Sequence, residues 1–453
     1  MGSEQFDIKT LQKYFLLKPT QVILLSFIFM ILLGTVLLTL PVSTTNNMGL
    51  SPVDALFVST SASCVTGLTV VDVKNDLTFF GKIVMLFLIQ VGGLGIMTLA
   101  TLAVHSMGYR FKMRQNLILQ ESLNQNSQRG IIDLIKCMLK YTFVIEGFFA
   151  LILAVHFFPE FGFDAIGYGI FHSVSAFCNA GFDLFGNYDS LCKRNDDNFL
   201  LFCLGTLIVL GGIGFTVIAD FIHRRSFMKF SLHTKIVVVM NAILIIAGTF
   251  FILDVEFYNP YTLGEMETFE KVVNSCFMSV SCRTAGFNSF DLSQTGQITQ
   301  LNMILLMFIG ASPLSTGGGI KCTTFFIIVM TIWAILRGKN VVSVFGREIP
   351  AALRDQSFAI FTLGAIWVVT VSILLSIIDN ERHELLEVIF ETVSGFGTVG
   401  MGIGITNEWT TSAKLLLSLT MLVGRVGIMT FMLALISQKN TAVKYPQENI
   451  MIG

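Results

Sequence analysis

The chain has 453 residues, 53% of them hydrophobic and 13% charged, with a formal net charge of −1 and a mean hydropathy of +0.73. A soluble protein carries about 25% charged residues. Here windows of 18 or more residues hold no Asp, Glu, Lys or Arg, so a large water-soluble enzyme is excluded in favour of an all-α polytopic membrane protein.

In chain order, Glu4, Asp7, Lys9, Lys13 and Lys18 precede a long apolar run, which reads as a retained first span rather than a cleaved signal peptide. Spans are predicted near 21–40, 83–104, 141–158, 199–219, 236–253, 298–336, 356–378 and 415–437. The N-terminus and the segments 105–140, 223–235, 337–354 and 439–453 hold most of the 29 Lys and Arg. By the positive-inside rule both termini face the cytoplasm. The opposite loops are acidic, with Asp72, Asp76, Asp183, Asp189, Glu265 and Glu408 among others, a sign that raises local cation concentration.

Between the spans of each successive pair lies a segment too apolar for a solvent loop and too short to cross a bilayer. The first begins Ser51-Pro52-Val53-Asp54, where Ser as N-cap and Pro at the first helical position predict a helix start. It ends at Val65-Thr66-Gly67. Its counterparts end at Asn179-Ala180-Gly181, Thr284-Ala285-Gly286 and Thr398-Val399-Gly400, with Gly spacings of 114, 105 and 114 residues. That regularity is an internal fourfold repeat.

A second glycine marker follows each segment, at Gly92-Gly93-Leu94-Gly95, Gly211-Gly212-Ile213-Gly214, Gly318-Gly319-Ile320-Lys321 and Gly424-Arg425-Val426-Gly427. In the first, second and fourth copies these glycines suit close helix packing. None has a complete nucleotide-binding pattern.

The predicted architecture is four tandem units of span, pore helix, loop and span, arranged pseudo-fourfold around one pore. The units cover 21–110, 111–225, 226–340 and 341–438, between a cytosolic N-terminus, 1–20, and a tail, 439–453. Each short helix would aim its negative C-terminal end at the axis. Beyond it, Gly permits an extended backbone whose carbonyls face a cation. Thr398-Val399-Gly400-Met401-Gly402 differs at one position from the Thr-Val-Gly-Tyr-Gly loop of potassium channels.

On these residues the sequence resembles the Trk/Ktr/HKT superfamily of potassium transporters, and within it the Ktr-type membrane subunit. Gly67, Gly181, Gly286 and Gly400 match that family's filter positions. The resemblance implies potassium as the transported ion, bound at the filter. Gly in all four loops goes with potassium selectivity, and Ser in the first with sodium-selective plant members. It also implies a homodimer in the inner membrane of a bacterium, each protomer with its own pore and surrounded by lipid. A separate cytosolic RCK-type ring is the expected gating partner, with ATP or ADP bound there and no cofactor on this chain. The tail 444–453 resembles the Ktr tail at the dimer interface. Sodium coupling is left open.

The sixth span departs from the others. Gly310-Ala311-Ser312-Pro313-Leu314-Ser315-Thr316-Gly317-Gly318-Gly319 cannot continue a regular helix, so a break is predicted there, lining the cavity below the filter. It matches the family's intramembrane gating loop. Arg283, Lys321 and Arg425 lie away from both aqueous faces, where an ionised group needs a partner or water. Arg425 is expected to hold the loop through its carbonyls. Arg283 is expected to brace its own filter loop, with ion repulsion as the alternative. Lys321 would anchor the loop or repel ions. Glu146 is a candidate partner for any of the three, and Asp220 reads as a solvated helix end.

The remaining readings are thinner. The eight cysteines and six histidines form no metal or disulfide pattern, no catalytic grouping or Walker loop is present, and no basic stripe suits nucleic acid. A sodium-selective or non-selective pathway of the same fold remains an alternative. A proton-coupled carrier would need more intramembrane acids than Glu146.

Overall fold

A computed structural model describes residues 19–95, 131–339, 341–380 and 382–436, the side chains of 131–134 excepted. The N-terminus, the end of the second predicted span, most of the segment 105–140 and the C-terminal tail lie outside the described residues.

Four units follow one another. The first comprises α1 (Pro19–Thr39), α2 (Pro52–Cys64) and α3 (Phe79–Leu94). The second comprises α4 (Ile131–Phe161), α5 (Ala165–Phe177), α6 (Asn198–Gly212) and α7 (Phe215–Arg224). The third comprises α8 (Leu232–Glu256), α9 (Thr268–Ser281), α10 (Gln297–Phe308) and α11 (Cys322–Leu336). After a small hairpin pairing Ser343–Val344 with Arg347–Glu348, the fourth comprises α12 (Ala351–Asp379), α13 (Leu385–Gly397), α14 (Thr411–Val426) and α15 (Ile428–Leu435).

Local chemistry fixes the helix starts. Ser51 Oγ accepts the Asp54 N–H at 3.2 Å with Pro52 at the first position, as the sequence predicts. Asp197 caps α6 at the Leu200 N–H, 3.0 Å, and Ser231 caps α8 at Thr234, 3.2 Å. The pore helices α9 and α13 open with capping boxes, Glu267 with Glu270 and Glu384 with Glu387.

The packing is cyclic. Each short helix lies against the first long element of its own unit, in units one, two and four against the second as well, and in all four against the second long element of the unit before it: α5 on α3, α9 on α6, α13 on α10, and α2 on α14. The last contact closes the circle. Outward, Phe29 (70% exposed), Phe202 (71%) and Phe250 (68%) present large apolar faces, the reverse of a soluble protein and suited to lipid tails.

Three of the predicted spans are not straight. The sixth breaks between α10 and α11, as expected. The fourth also turns by 94° between α6 and α7, and the eighth by 102° between α14 and α15. The pivots Gly214 (φ 96°) and Gly427 (φ 90°) share the positive φ of Gly95 (φ 83°), where α3 ends. A non-glycine residue adopts that conformation only with strain, so the last glycine of the marker serves as a helix breaker. Its first glycine does pack. A Cβ on Gly92, Gly211 or Gly424 would fall 2.1, 1.8 or 1.9 Å from the carbonyl of Ser63, Phe177 or Phe396 near the end of a pore helix. The third marker differs, because Gly318 packs on the Thr398 side chain and Gly319 near Gly397.

Candidate ion pathway

The four pore helices end at the four predicted filter loops, where the backbone follows one pattern. Val65 (φ 57°), Asn179 (φ 59°), Thr284 (φ 82°) and Thr398 (φ 50°) are all left-handed, and two residues later so are Gly67 (103°), Gly181 (69°), Gly286 (85°) and Gly400 (89°). Between them Thr66, Ala180, Ala285 and Val399 keep the ordinary sign. Alternation of handedness turns successive carbonyls toward the same side, the condition for a carbonyl-lined path.

The loops meet in cyclic order. A Cβ on Gly67 would lie 2.7 Å from the Ala180 carbonyl oxygen, on Gly181 2.6 Å from Ala285, on Gly286 2.3 Å from Val399, and on Gly400 2.0 Å from Thr66. Each glycine thus faces the carbonyl of the next unit, and the fourth returns to the first. Glycine is required at all four places by sterics as well as by φ.

The sequence reading missed the residues that brace this ring. Ser61 and Ser394 hydroxyls accept the N–H of Gly67 and Gly400, each at 3.1 Å. Ser175 and Ser281 hydroxyls donate to the carbonyls of Phe182 and Phe287, each at 2.6 Å. The signal was available, since a serine stands six residues before the filter glycine in units one, two and four and five before it in unit three.

Beneath the ring lies the predicted gating loop, between Phe308 and Cys322 and pinched by a bridge of Ile309 with Ile320. Its backbone is met by protein rather than lipid. Gly310 N–H donates to Ile320 O at 2.8 Å, Ser312 N–H to Gly212 O at 3.1 Å, Thr316 N–H to Gly211 O at 3.2 Å, and Gly319 N–H to Gly424 O at 3.3 Å. Ala311 O accepts from Cys322 N–H at 3.3 Å, Ser315 Oγ donates to Ser312 O at 2.6 Å, and the Pro313 carbonyl abuts Gly214. Thr316 Oγ1 donates to Phe177 O at 3.1 Å, and Gly317 and Gly318 lie directly against the hydroxyls of Thr284 and Thr398.

All three intramembrane cations grip this loop. The Arg425 guanidinium donates to Thr316 O and, in the first unit, to Gly92 O and, at 3.0 Å, Gly93 O. Lys321 Nζ donates to Gly317 O at 2.6 Å, an anchoring contact. Arg283 does not brace its own filter loop as expected. It donates to Asn241 Oδ1 and, at 3.3 Å, to Gly310 O, while Asn241 Nδ2 donates to Ser312 Oγ at 3.1 Å. Glu146 pairs with none of the three; both its oxygens accept from Gln90 Nε2 at 3.2 Å. Asp220 is more than a solvated end, since it accepts from Ser231 N–H at 3.0 Å and Thr234 Oγ1 at 2.7 Å, joining α7 to α8.

Two spaces flank this plug. Outside the ring is a vestibule of about 170 Å³ lined by the four filter glycines with Asp72 and Asp183. Burial raises the Asp183 carboxyl to about 6, against the backbone N–H groups of Phe185 and Gly186 that favour its ionised form. Beyond the loop a cavity of about 830 Å³ is lined by Pro313, Leu314 and Lys321 and by no filter residue. Among the described residues no His, Cys, Asp and Glu cluster could hold a metal ion.

Residues 5–448 match the TrkH family, described as cation transport proteins. The chain is 39% identical to the Ktr system potassium uptake protein B of Bacillus subtilis, over 98% of this chain and all of that one. It is 37% identical to the potassium/sodium uptake protein NtpJ of Enterococcus hirae, over 96% and 98% of the two chains. The crystal structure of the potassium transporter TrkH from Vibrio parahaemolyticus shares the fold, with a TM-score of 0.71 at 19% identity over 94% of this chain and 86% of that one. A ring of four glycine loops inside a membrane-embedded helical fold and a family match across nearly the whole length agree: this chain is a multi-pass membrane protein of the TrkH family of cation transporters.

Proposed function

We propose that the chain conducts potassium inward across a bacterial plasma membrane, through the glycine ring as a selectivity filter and past the segment 310–319 as a gate. The observation that carries the reading is the cyclic Gly–carbonyl ring. Four backbones converge with alternating handedness, an arrangement that can replace an ion's hydration shell with carbonyls. The names of the relatives support potassium as cargo.

In this reading the conformation described is the closed one. The plug lies under the Thr284 and Thr398 hydroxyls, and three cations hold it there by carbonyl contacts that a displaced loop would lose. Opening then needs work from outside the chain, which fits a cytosolic nucleotide-binding ring acting on the inner ends of the helices and a homodimeric membrane part with both termini inside. The Enterococcus relative's name favours a second reading, in which sodium passes too.

The test is rubidium uptake into liposomes holding the purified chain, with potassium and sodium as competitors and Gly67→Ser as control. Competition by potassium over sodium that weakens in Gly67→Ser supports the filter. Equal competition by both ions in the wild type favours the sodium-permeable reading. Uptake that remains absent after deletion of 317–319, in correctly folded protein, overturns the pore.

A further inference from the structure

The four pore helices carry another repeated position, remote from the ion path. Three residues before each bracing serine, nearly one turn back along its helix, stand Val58, His172, Met278 and Glu391. All four are fully buried. Three of them are hydrogen-bond acceptors, and each receives a donor from the strand leaving its own filter loop.

His172 Nδ1 is committed to the Tyr168 carbonyl at 2.8 Å, which leaves Nε2 to accept the Leu184 N–H at 3.3 Å. Met278 Sδ accepts the Ser289 N–H at 3.3 Å. Glu391 accepts twice at 2.7 Å, from the Thr406 hydroxyl through Oε1 and from the Trp409 indole N–H through Oε2. Val58 offers no acceptor, and the first exit strand closes locally instead, Thr69 Oγ1 donating to Val71 O at 2.7 Å and accepting from Val71 N–H at 3.1 Å.

At this position Glu391 accepts two hydrogen bonds of 2.7 Å, whereas His172 and Met278 accept one each at 3.3 Å. Side chains at this position therefore hold the four exit strands unequally, by two bonds in the fourth unit, by one in the second and third, and by none in the first. The anchor is close to the filter. A Cβ on Gly402, two residues beyond Gly400, would lie 3.1 Å from Thr406 Oγ1 and 3.3 Å from Glu391 Oε1. Movement of the Glu391 cluster is thereby transmitted to the fourth strand of the ring by contact.

We infer that this position tunes the filter, and that Glu391 is the positioning residue that sets the fourth strand and with it the preference between cations. Glu391 acts through Thr406 and Trp409 and touches no part of the ring's axis. The inference rests on the filter reading above.

The test is rubidium uptake into liposomes holding the full chain, competed by potassium and by sodium, with thermal stability measured on the same preparations. The variants are Gly67→Ser, Glu391→Gln, Trp409→Phe, and the last two combined. Glu391→Gln keeps the volume but turns an NH2 group toward one of the two donors. The expected result is a loss of about tenfold in potassium-over-sodium preference, the size of one buried hydrogen bond, with the melting temperature and maximal uptake near wild type. Trp409→Phe should give a smaller loss, and the double variant no more than Glu391→Gln alone. Wild-type preference retained in both single variants, or lost only in proportion to melting temperature, overturns the inference while leaving the filter reading intact. A wild type whose uptake shows no preference and no response to Gly67→Ser overturns the filter reading, and this inference with it. If Glu391→Gln does not fold, the outcome for Trp409→Phe decides.

Discussion

The Gly318 N–H donates to the Thr398 hydroxyl across 3.0 Å, so the plug below the ring is bonded to the fourth filter strand itself. The segment proposed as gate and the ring proposed as filter share an atom-to-atom contact. A Cβ on Gly318 would fall 2.3 Å from Thr398 Oγ1, too close to be tolerated. Gly318→Ala should displace the loop and raise rubidium uptake by the chain alone several-fold. Unchanged uptake in folded protein would remove this segment from the gate.

Arg425 ties the loop to the first unit, from Thr316 to Gly92 and Gly93. Arg425→Ala removes three charge-assisted bonds, worth about 1.5–3 kcal/mol each when buried. Uptake should rise about tenfold or more. Arg425→Lys, a point charge in place of a fork, should fall between the two.

Gly286 combines φ +85° with a closest approach of 2.3 Å from its would-be Cβ to Val399 O. Gly286→Ala stores about 1–3 kcal/mol of backbone strain and pushes two strands apart. Competition assays should show sodium blocking rubidium uptake about tenfold better than in wild type.

Asp183 lines the vestibule with Asp72, and Asp189 is also near enough to disfavour its charge. With its pKa raised to about 6, the carboxyl is anionic above that pH and neutral below it. Cation recruitment is then complete at neutral external pH and fades as acidity rises. Initial uptake at low potassium should drop about threefold between pH 7 and pH 5, and Asp183→Asn should flatten the profile. Asparagine keeps the side-chain oxygen that accepts the Phe185 N–H, 2.8 Å away.

His383 joins Asp379, at 2.8 Å, to Glu408, at 3.2 Å. Burial by itself would lower its pKa, but hydrogen bonds to the two carboxylates raise it overall. A folded pKa above the unfolded value gives stability that is whole below about pH 6.5 and is lost as pH rises through the folded pKa. Melting temperature should therefore decline from acid through neutral pH in wild type, and less so in His383→Gln.

The features legible in the sequence were those with a local chemical signature: the Ser51-Pro52 helix start, the four filter glycines at matching intervals, and the run 310–319 that no helix can contain. The bends at Gly214 and Gly427 were not legible, because a glycine that packs and a glycine that reverses φ are written with the same letter inside an equally apolar run. Arg283 was misread for a different reason. Its partner Asn241 lies 42 residues away on α8, and sequence gives an intramembrane charge without the direction of its side chain. Glu391 carries no signal of its own in a segment marked by its glycines, since its donors, Thr406 and Trp409, come from a later stretch without a pattern.

The closed ring of four loops is made by one polypeptide, each quarter encoded by separate codons. In a pore assembled from four identical chains, any substitution appears four times and the filter changes as a whole or not at all. Here Val65, Asn179, Thr284 and Thr398 already occupy one equivalent place with four side-chain environments. As the proposed filter, such a ring can drift one quarter at a time, which opens graded ion preferences to natural variation and to engineering alike.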